Sequence, residues 1–306
     1  MAVVTADFLA ALFTNYRALW EDAFLAASRT PQYERYCTIV PSDTLDESYN
    51  WLGTVPKMRE WLAERQLEGL GFYTYSITNK HWETSIEVDR DTLEDDKYML
   101  IRPRIQQLGV EAARYPGELA TDVLVAGVST TGYDGINFFA TTHSEEESGT
   151  QSNLLTGAGV TLANIRTDFV AGRTAMNRAK DGRARPMNLW PDCVVLPPDL
   201  QDVFEQLINT NIIALSSGTQ QSNVLIGVVD LLVNTYLADT VDWYLMDTAE
   251  VVKPLIFQIR KAAEFVGVDR PDQDTVFRTR QFMYGADARF NAGYGLWQMA
   301  YKINNT

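Results

Sequence analysis

Between Tyr49 and Asp96 the chain moves from helical to strand periodicity, and no run close by in sequence could cover the strand face this creates. Met58 to Leu67 has the spacing of a short helix ended at Gly69. From Phe72 the period becomes two. Tyr73, Tyr75 and Ile77 share one side, and after Asn79-Lys80 the set Trp82, Ile86 and Val88 resumes the alternation. Glu83, Ser85, Glu87 and Asp89 fall on the opposite side. The pattern predicts a hairpin with one wet face. A two-stranded hairpin is marginal in water by itself, so another part of the chain, or another copy of it, must cover this one. That points to assembly rather than chemistry.

A length of 306 residues exceeds one typical domain and predicts two lobes. The 40 acidic side chains outnumber the 26 basic ones, for a net charge of −14. That balance argues against a nucleic-acid binder, which needs a basic stripe to displace counterions from phosphate. The densest basic stretch, Arg173, Arg178, Lys180, Arg183 and Arg185, reads as a solvated loop. Fourteen Tyr, 13 Phe and 7 Trp supply large anchors for a core or an interface. Cys37 and Cys193 lie in unrelated contexts without zinc spacing, as expected of buried thiols. The first residues carry Asp7 and lack the basic start of a secretory signal. The most apolar run, Val224 to Val233, is about half of what a bilayer requires. A soluble protein made in the cytoplasm is predicted.

Along the rest of the chain, Phe8, Leu12, Tyr16, Leu19 and Ala23 mark a helix over residues 6–28, closed by Pro31. Asp91, with Glu94 three residues on, resembles a capping box opening a helix that runs to about Val125. Its stripe is Ile101, Ile105, Leu108, Ala112, Tyr115, Leu119, Val123 and Ala126, with Pro103 and Pro116 expected to bend or interrupt it. The stretch past Gly127 is loop-like, but Tyr133, Phe138 and Phe139 should pin it to a core. Leu162 to Ala179 is a predicted helix and Cys193 to Leu196 a buried strand. Pro198 opens a helix over Leu200 to Leu207. Residues 211–260 alternate apolar runs with turns, as strands of a mixed sheet do, and the tail reads as strand, turn and a further strand or helix. The class is α+β.

Few residues suggest chemistry. The acids Asp89, Asp91, Glu94, Asp95 and Asp96 lack the central Gly of a calcium loop, and helix capping explains all but Asp89. Of the histidines, His81 and His143, neither sits in a metal or nucleophile motif. His143, before Glu145 to Glu147, could serve as a general base, but a loop histidine is the plainer reading. Gly157 and Gly159 lack the Lys of a phosphate cradle. No catalytic, cofactor-binding or metal-ligating residue is assigned.

Longer strings carry a resemblance. YNWLGTVPKMREW at 49–61, NKHWETSIEVDRDTLEDD at 79–96, YDGINFFATTHS at 133–144 and QFMYGADARFNAGYGLWQMA at 281–300 resemble the Mu-like bacteriophage major head subunit T family, in order and across nearly the whole chain. The resemblance implies a major capsid protein of an HK97-like α+β fold. Residues 1–48 would be an N-terminal arm and 49–90 an extended hairpin, the E-loop. Residues 91–154 would form the peripheral domain with its spine helix, 155–250 the axial domain, and 251–306 a return to the peripheral domain.

In such a shell the hairpin would lie on a neighbouring copy. The candidate intersubunit contacts are Trp51, Arg59, Trp61, Arg65, Tyr73, Tyr75, Lys80, Trp82 and Arg90. Covalent crosslinking of subunits is not suggested: Lys80, at the expected hairpin tip, could serve, but no partner is identifiable. The implied partners are the chain itself, as hexamers and pentamers, together with portal and decoration proteins. A separate scaffold is expected because no room for a scaffolding domain precedes the E-loop. Double-stranded DNA would be enclosed without sequence-specific binding, and no membrane is involved. Two other readings stand beside this one. An encapsulin-like compartment shell would share the fold, and a carboxylate-dependent hydrolase would need Asp95, Asp96 and His143 to converge.

Overall fold

Two larger sheets and two two-stranded ladders hold the strands of the computed structural model, which describes residues 6–29, 31–49, 52, 73–94, 98–216, 219–268 and 273–305. The chain begins with helices α1 (Ala6–Ala27) and α2 (Tyr33–Tyr36), then strands β1 (Cys37–Pro41), β2 (Asp46–Ser48), β3 (Ser76–Thr78) and β4 (Lys80–Asp89). A short α3 (Arg90–Glu94) and the long α4 (Tyr98–Ala126) follow, then β5 (Leu154–Thr156), α5 (Leu162–Asn177), β6 (Cys193–Leu196) and α6 (Gln201–Asn209). The remainder is mainly strand: β7 (Ile212–Ser216), β8 (Thr219–Ser222), β9 (Asp230–Val233), β10 (Trp243–Met246) and β11 (Leu255–Val268). The chain closes with α7 (Asp274–Thr279), β12 (Gln281–Tyr294) and β13 (Ala300–Asn304).

The first sheet has the order β1-β11-β12-β4. Its spine is the antiparallel pair β11 and β12, joined from Leu255↔Tyr294 to Val268↔Met283 with register shifts around Lys261. Helices α1 and α4 pack on this sheet through Leu9, Tyr16, Trp20, Ile101, Ile105 and Leu108. The two helices meet so closely at Gly109 that a Cβ there would stand 2.5 Å from the Trp20 carbonyl oxygen. Only glycine fits that crossing. The stripe expected of α4 is the one buried, and the helix continues through Pro103 and Pro116 without a break. Its packed face outweighs the hydrogen bond lost at each proline.

The second sheet has the order β5-β13-β10-β6-β9. Every residue of β6 and β10 is buried, as expected where both faces of a strand are covered. Alternate residues serve two cores. Val194, Leu196, Trp243 and Leu245 meet Phe169 of α5 and Phe204 of α6, while Cys193, Val195, Tyr244 and Met246 meet Leu119, Leu124 and Phe138. Both thiols are free and buried, and burial pushes their pKa values up, that of Cys193 to about 12.

Three expectations change. The alternation over residues 73–89 is real, but its two halves do not pair with each other. Strand β3 pairs antiparallel with β2, and β4 pairs along its whole length with β12. Asn79, between them, is no turn tip: it is buried, and its side-chain amide donates to Ser42 Oγ and the Thr44 carbonyl. Lys80 therefore begins a strand rather than capping a hairpin. A period of two reports which faces are wet and carries nothing about the partner. The second change is in the basic stretch, where Arg173 lies within α5 and Arg178 caps its end instead of standing in a loop; the tail is strand, turn and strand as expected, with β12 in the first sheet and β13 inserted between β5 and β10 in the second. A largely buried ion pair, Lys302 Nζ to Asp242 Oδ2 at 2.7 Å, accompanies that insertion. The third concerns the helix start: the Asp89 carboxylate, not that of Asp91, accepts from the backbone of Asp91 and Thr92. The residue ending β4 is still extended, which is the backbone an N-cap needs. The expected helix over 58–67 lies outside the described residues.

Candidate functional site

The β2–β3 ladder, beside which Tyr49 and Tyr75 meet, is the best-defined feature bearing on assembly. The β2–β3 ladder is extended by Tyr49 N–H donating to the Tyr75 carbonyl at 2.7 Å. The two ends of the intervening segment are thus held side by side. Tyr49 Oη donates to Gln258 Oε1 at 2.9 Å, and the fully buried Gln258 amide donates to the Ile77 carbonyl at 2.8 Å. Leu52 is buried in the same core.

Of the expected contact residues, Tyr73, Tyr75 and Trp82 are committed to their own subunit. Tyr75 Oη accepts from the Tyr294 backbone at 2.9 Å, and Tyr73 stands edge-on to Tyr133 at 5.2 Å. The Trp82 indole donates to the Phe290 carbonyl at 2.9 Å and its ring lies 4.8 Å from that of Tyr115. All three remain half-buried, so each keeps one face open. Lys80 is exposed at the start of β4, and the Arg90 backbone donates to Arg280 across the end of the sheet. Trp51, Arg59, Trp61 and Arg65 lie outside the described residues. Sequence reasoning placed these aromatics on one surface but missed their cis anchors, because Gln258, Phe290 and Tyr294 are some two hundred residues away.

Among the described residues, the candidates for chemistry make structural contacts. Asp91 pairs with Arg280 at 2.6 Å on the surface, and Asp95 and Asp96 lie outside the described residues. His143 is fully buried: Nδ1 meets Asp134 Oδ2 at 2.6 Å, Nε2 meets Asn153 Oδ1 at 3.2 Å, and the ring stacks on Trp297 at 4.1 Å. Beside it the buried Glu145 carboxylate accepts from the Trp297 indole at 2.8 Å, from Gln298 at 3.0 Å and from the Tyr133 hydroxyl. Burial raises the Glu145 pKa against these hydrogen bonds. The cluster clasps the 128–153 loop onto the corner between β12 and β13. Asp181 likewise collects the backbone of Arg183 and Arg185 and the Arg185 guanidinium, which orders the part of the basic stretch beyond α5 as a loop. Gly157 N–H donates to the Asn304 carbonyl and serves the sheet.

Residues 9–166 and 238–306 match the family described as Mu-like prophage major head subunit gpT. The chain belongs to this family. Along 303 residues it is 30% identical to the Mu-like prophage FluMu major head subunit of Haemophilus influenzae, covering 99% of this chain and 75% of that protein. It is 29% identical over 302 residues to the major capsid protein of Escherichia phage Mu, covering 98% and 75%. Among solved structures, a chain of the procapsid of bacteriophage JBD30 superposes with a TM-score of 0.60 at 26% identity, covering 99% of this chain and 77% of that one. The gpT-family fold is therefore the HK97-like α+β capsid fold. The function is that of a major capsid protein of a Mu-like phage head, a structural subunit of the virion rather than an enzyme. Among the described residues, no helix is long and apolar enough to cross a membrane.

Proposed function

We propose that copies of this chain form the hexameric and pentameric capsomers of an icosahedral shell around double-stranded DNA, and that the segment between Tyr49 and Tyr75, rather than the whole of 49–90, contacts the neighbouring subunit. One observation carries the second part. Tyr49 and Tyr75, which bound this segment, are hydrogen-bonded to each other and fastened in cis through Gln258 and Tyr294. In this reading Trp51, Arg59, Trp61 and Arg65 contact a neighbour, with Lys80, Arg90 and the half-buried Tyr73, Tyr75 and Trp82 beside them. In this reading residues 1–48 act as the N-terminal arm, α4 as the spine of the peripheral domain, and 155–250 as the core of the axial domain. A net charge of −14 suits a wall along which packaged DNA slides. Scaffold, portal and decoration proteins, and assembly in the host cytoplasm, belong to the same reading.

The test compares the wild type with a Trp51→Ala/Trp61→Ala variant by light scattering and negative-stain microscopy. Rings, tubes or shells from the wild type, against a folded but unassembled variant, are expected. A variant that assembles like the wild type sinks the role given to the segment.

A further inference from the structure

Strand β4 is an outer strand of the first sheet. It runs for 10 residues without a proline, and its register with β12 is unbroken from Gln281↔Asp89 to Phe290↔Lys80. Natural edge strands are blunted by shortness, prolines or bulges, because an unpaired main chain invites another strand. This edge has none of those devices.

The phase of the ladder says which groups are left unpaired. Just past the last strand pair, Arg90 N–H donates to the Arg280 carbonyl. Bonded and non-bonded pairs alternate in an antiparallel ladder, so Trp82, Thr84, Ile86 and Val88 turn their main-chain groups to β12. The Thr84 carbonyl agrees, since a Cβ on Gly285 would stand 2.7 Å from it. His81, Glu83, Ser85 and Glu87 therefore aim their N–H and C=O groups outward. Among the described residues, no strand lies beyond them.

Side chains restrict what can fill this edge. On the face packed against α4, Trp82, Thr84 and Ile86 are only half-buried. A cleft of about 310 Å³ between α4 and the sheet, lined by Tyr115 and by alanines of α4, β11 and β12, continues to Trp82 and Thr84. An added strand must bring apolar side chains to that face and polar partners for His81, Glu83 and Glu87 to the other. A second β4 meets both demands. Laid antiparallel about a two-fold axis at Thr84, it sets His81 opposite Glu87 and Glu83 opposite Ser85 at the hydrogen-bonded positions. Ser85 Oγ already donates to Glu83 Oε2 at 2.7 Å within the strand, so these groups are compatible. On the α4 side Trp82 faces Ile86 on either side of a Thr84–Thr84 pair, and aromatic and β-branched pairs of this kind stabilise sheets. Moving the axis to Ser85 sets Glu83 opposite Glu87, and moving it to Glu83 sets that residue opposite its own copy. Both are unfavourable like-charge pairs.

We propose that the free edge of β4 is a docking site for β4 of a second copy, joining two first sheets about a local two-fold axis at Thr84. The inference shares with the proposed function only the self-association of the chain, and not the role given to the segment between Tyr49 and Tyr75.

Cysteine crosslinking of the unassembled full chain tests it. At a non-hydrogen-bonded antiparallel pair the Cα atoms stand about 4.5 Å apart, within disulfide reach. Thr84→Cys should therefore give a covalent dimer under mild oxidation. Ser85 is the more exposed of the two, yet its copies would lie diagonally at about 7–8 Å, so Ser85→Cys should crosslink about tenfold more slowly. Cys37 and Cys193 are buried, and the wild type should stay uncrosslinked. Ser85→Pro removes an outward N–H that β12 does not use, so it should leave the urea midpoint nearly unchanged while slowing the Thr84→Cys crosslink about tenfold. Ser85→Glu, an exposed change that sets two carboxylates face to face, should slow it several-fold. In the Trp51→Ala/Trp61→Ala background the crosslink should persist, which separates this contact from that of the segment. Faster crosslinking at Ser85 than at Thr84, an unslowed crosslink in both Ser85 variants, or its loss in the tryptophan variant each overturns the pairing.

Discussion

In the second sheet, β6 and β10 bury every side chain between two cores, with α5 and α6 on one side and the end of α4 with the 128–153 loop on the other. In the first sheet, β4 alternates along its length: Trp82, Thr84 and Ile86 are half-buried, while Glu83, Ser85 and Glu87 are exposed. One sheet is finished within the subunit. The other keeps a wet face and an open cleft, and carries the separate β2–β3 ladder through Gln258. A shell subunit needs both conditions, a part that folds by itself and a part whose burial is completed by its neighbours.

The contrast can be broken most severely at the tryptophans. Trp243→Ala, in the closed sheet, should cost about 3–5 kcal/mol in urea unfolding of the unassembled subunit. Trp82→Ala should cost only about 1–2 kcal/mol, since it removes one hydrogen bond and one open-faced ring contact. Equal costs would erase the distinction between the sheets. Gly109→Ala forces a methyl against the Trp20 carbonyl and should lose about 1–3 kcal/mol, tested by the shift in the urea midpoint. Asp89→Ala removes the cap that joins β4 to α3 and should cost about 1 kcal/mol. Asp91→Ala should cost less, and the reverse order would restore Asp91 as the cap.

A smaller effect sharpens the role of the clasp. The Glu145 pKa lies above its ordinary 4.5 in the folded chain because of burial, so the folded state favours the protonated form. Its stabilising contribution is complete below the unfolded value and is lost as pH rises through the folded one. Urea midpoints across that window should fall with pH in the wild type and flatten in Glu145→Gln. An unchanged slope would remove Glu145 as the source. Arg17→Ala, which deletes an exposed pair with Glu21 on α1, should change stability by only about 0.3–0.5 kcal/mol.

Local patterns carried far. The stripe from Ile101 to Leu119 foretold the buried face of α4, the apolar run Cys193 to Leu196 foretold a strand covered on both sides, and Phe138 and Phe139 foretold a pinned loop. The membership in a head-subunit family was legible in long strings, since those residues are adjacent in sequence. What was missed is non-local. The cleft beside Trp82 could not be read, because its alanines come from α4, β11 and β12 and signal nothing singly. The Asp134–His143–Asn153 cluster escaped for the same reason, as spacing along a loop does not say which side chains turn inward.

Hydrophobic period follows from each residue's own neighbours along the chain, and it was enough for most element types and for the wet and dry faces, though not for Pro103 and Pro116, which α4 takes in without a break. Pairing required the folded chain. Strand β4 could have closed on β3 by proximity, yet it lies on β12, where ten residues find backbone partners from Gln281↔Asp89 to Phe290↔Lys80. A strand's edge offers the same donors and acceptors to any partner, so the choice falls to whichever arrangement buries the most apolar surface without stranding a polar group. That sum is taken over the whole molecule, and only the tertiary structure contains it.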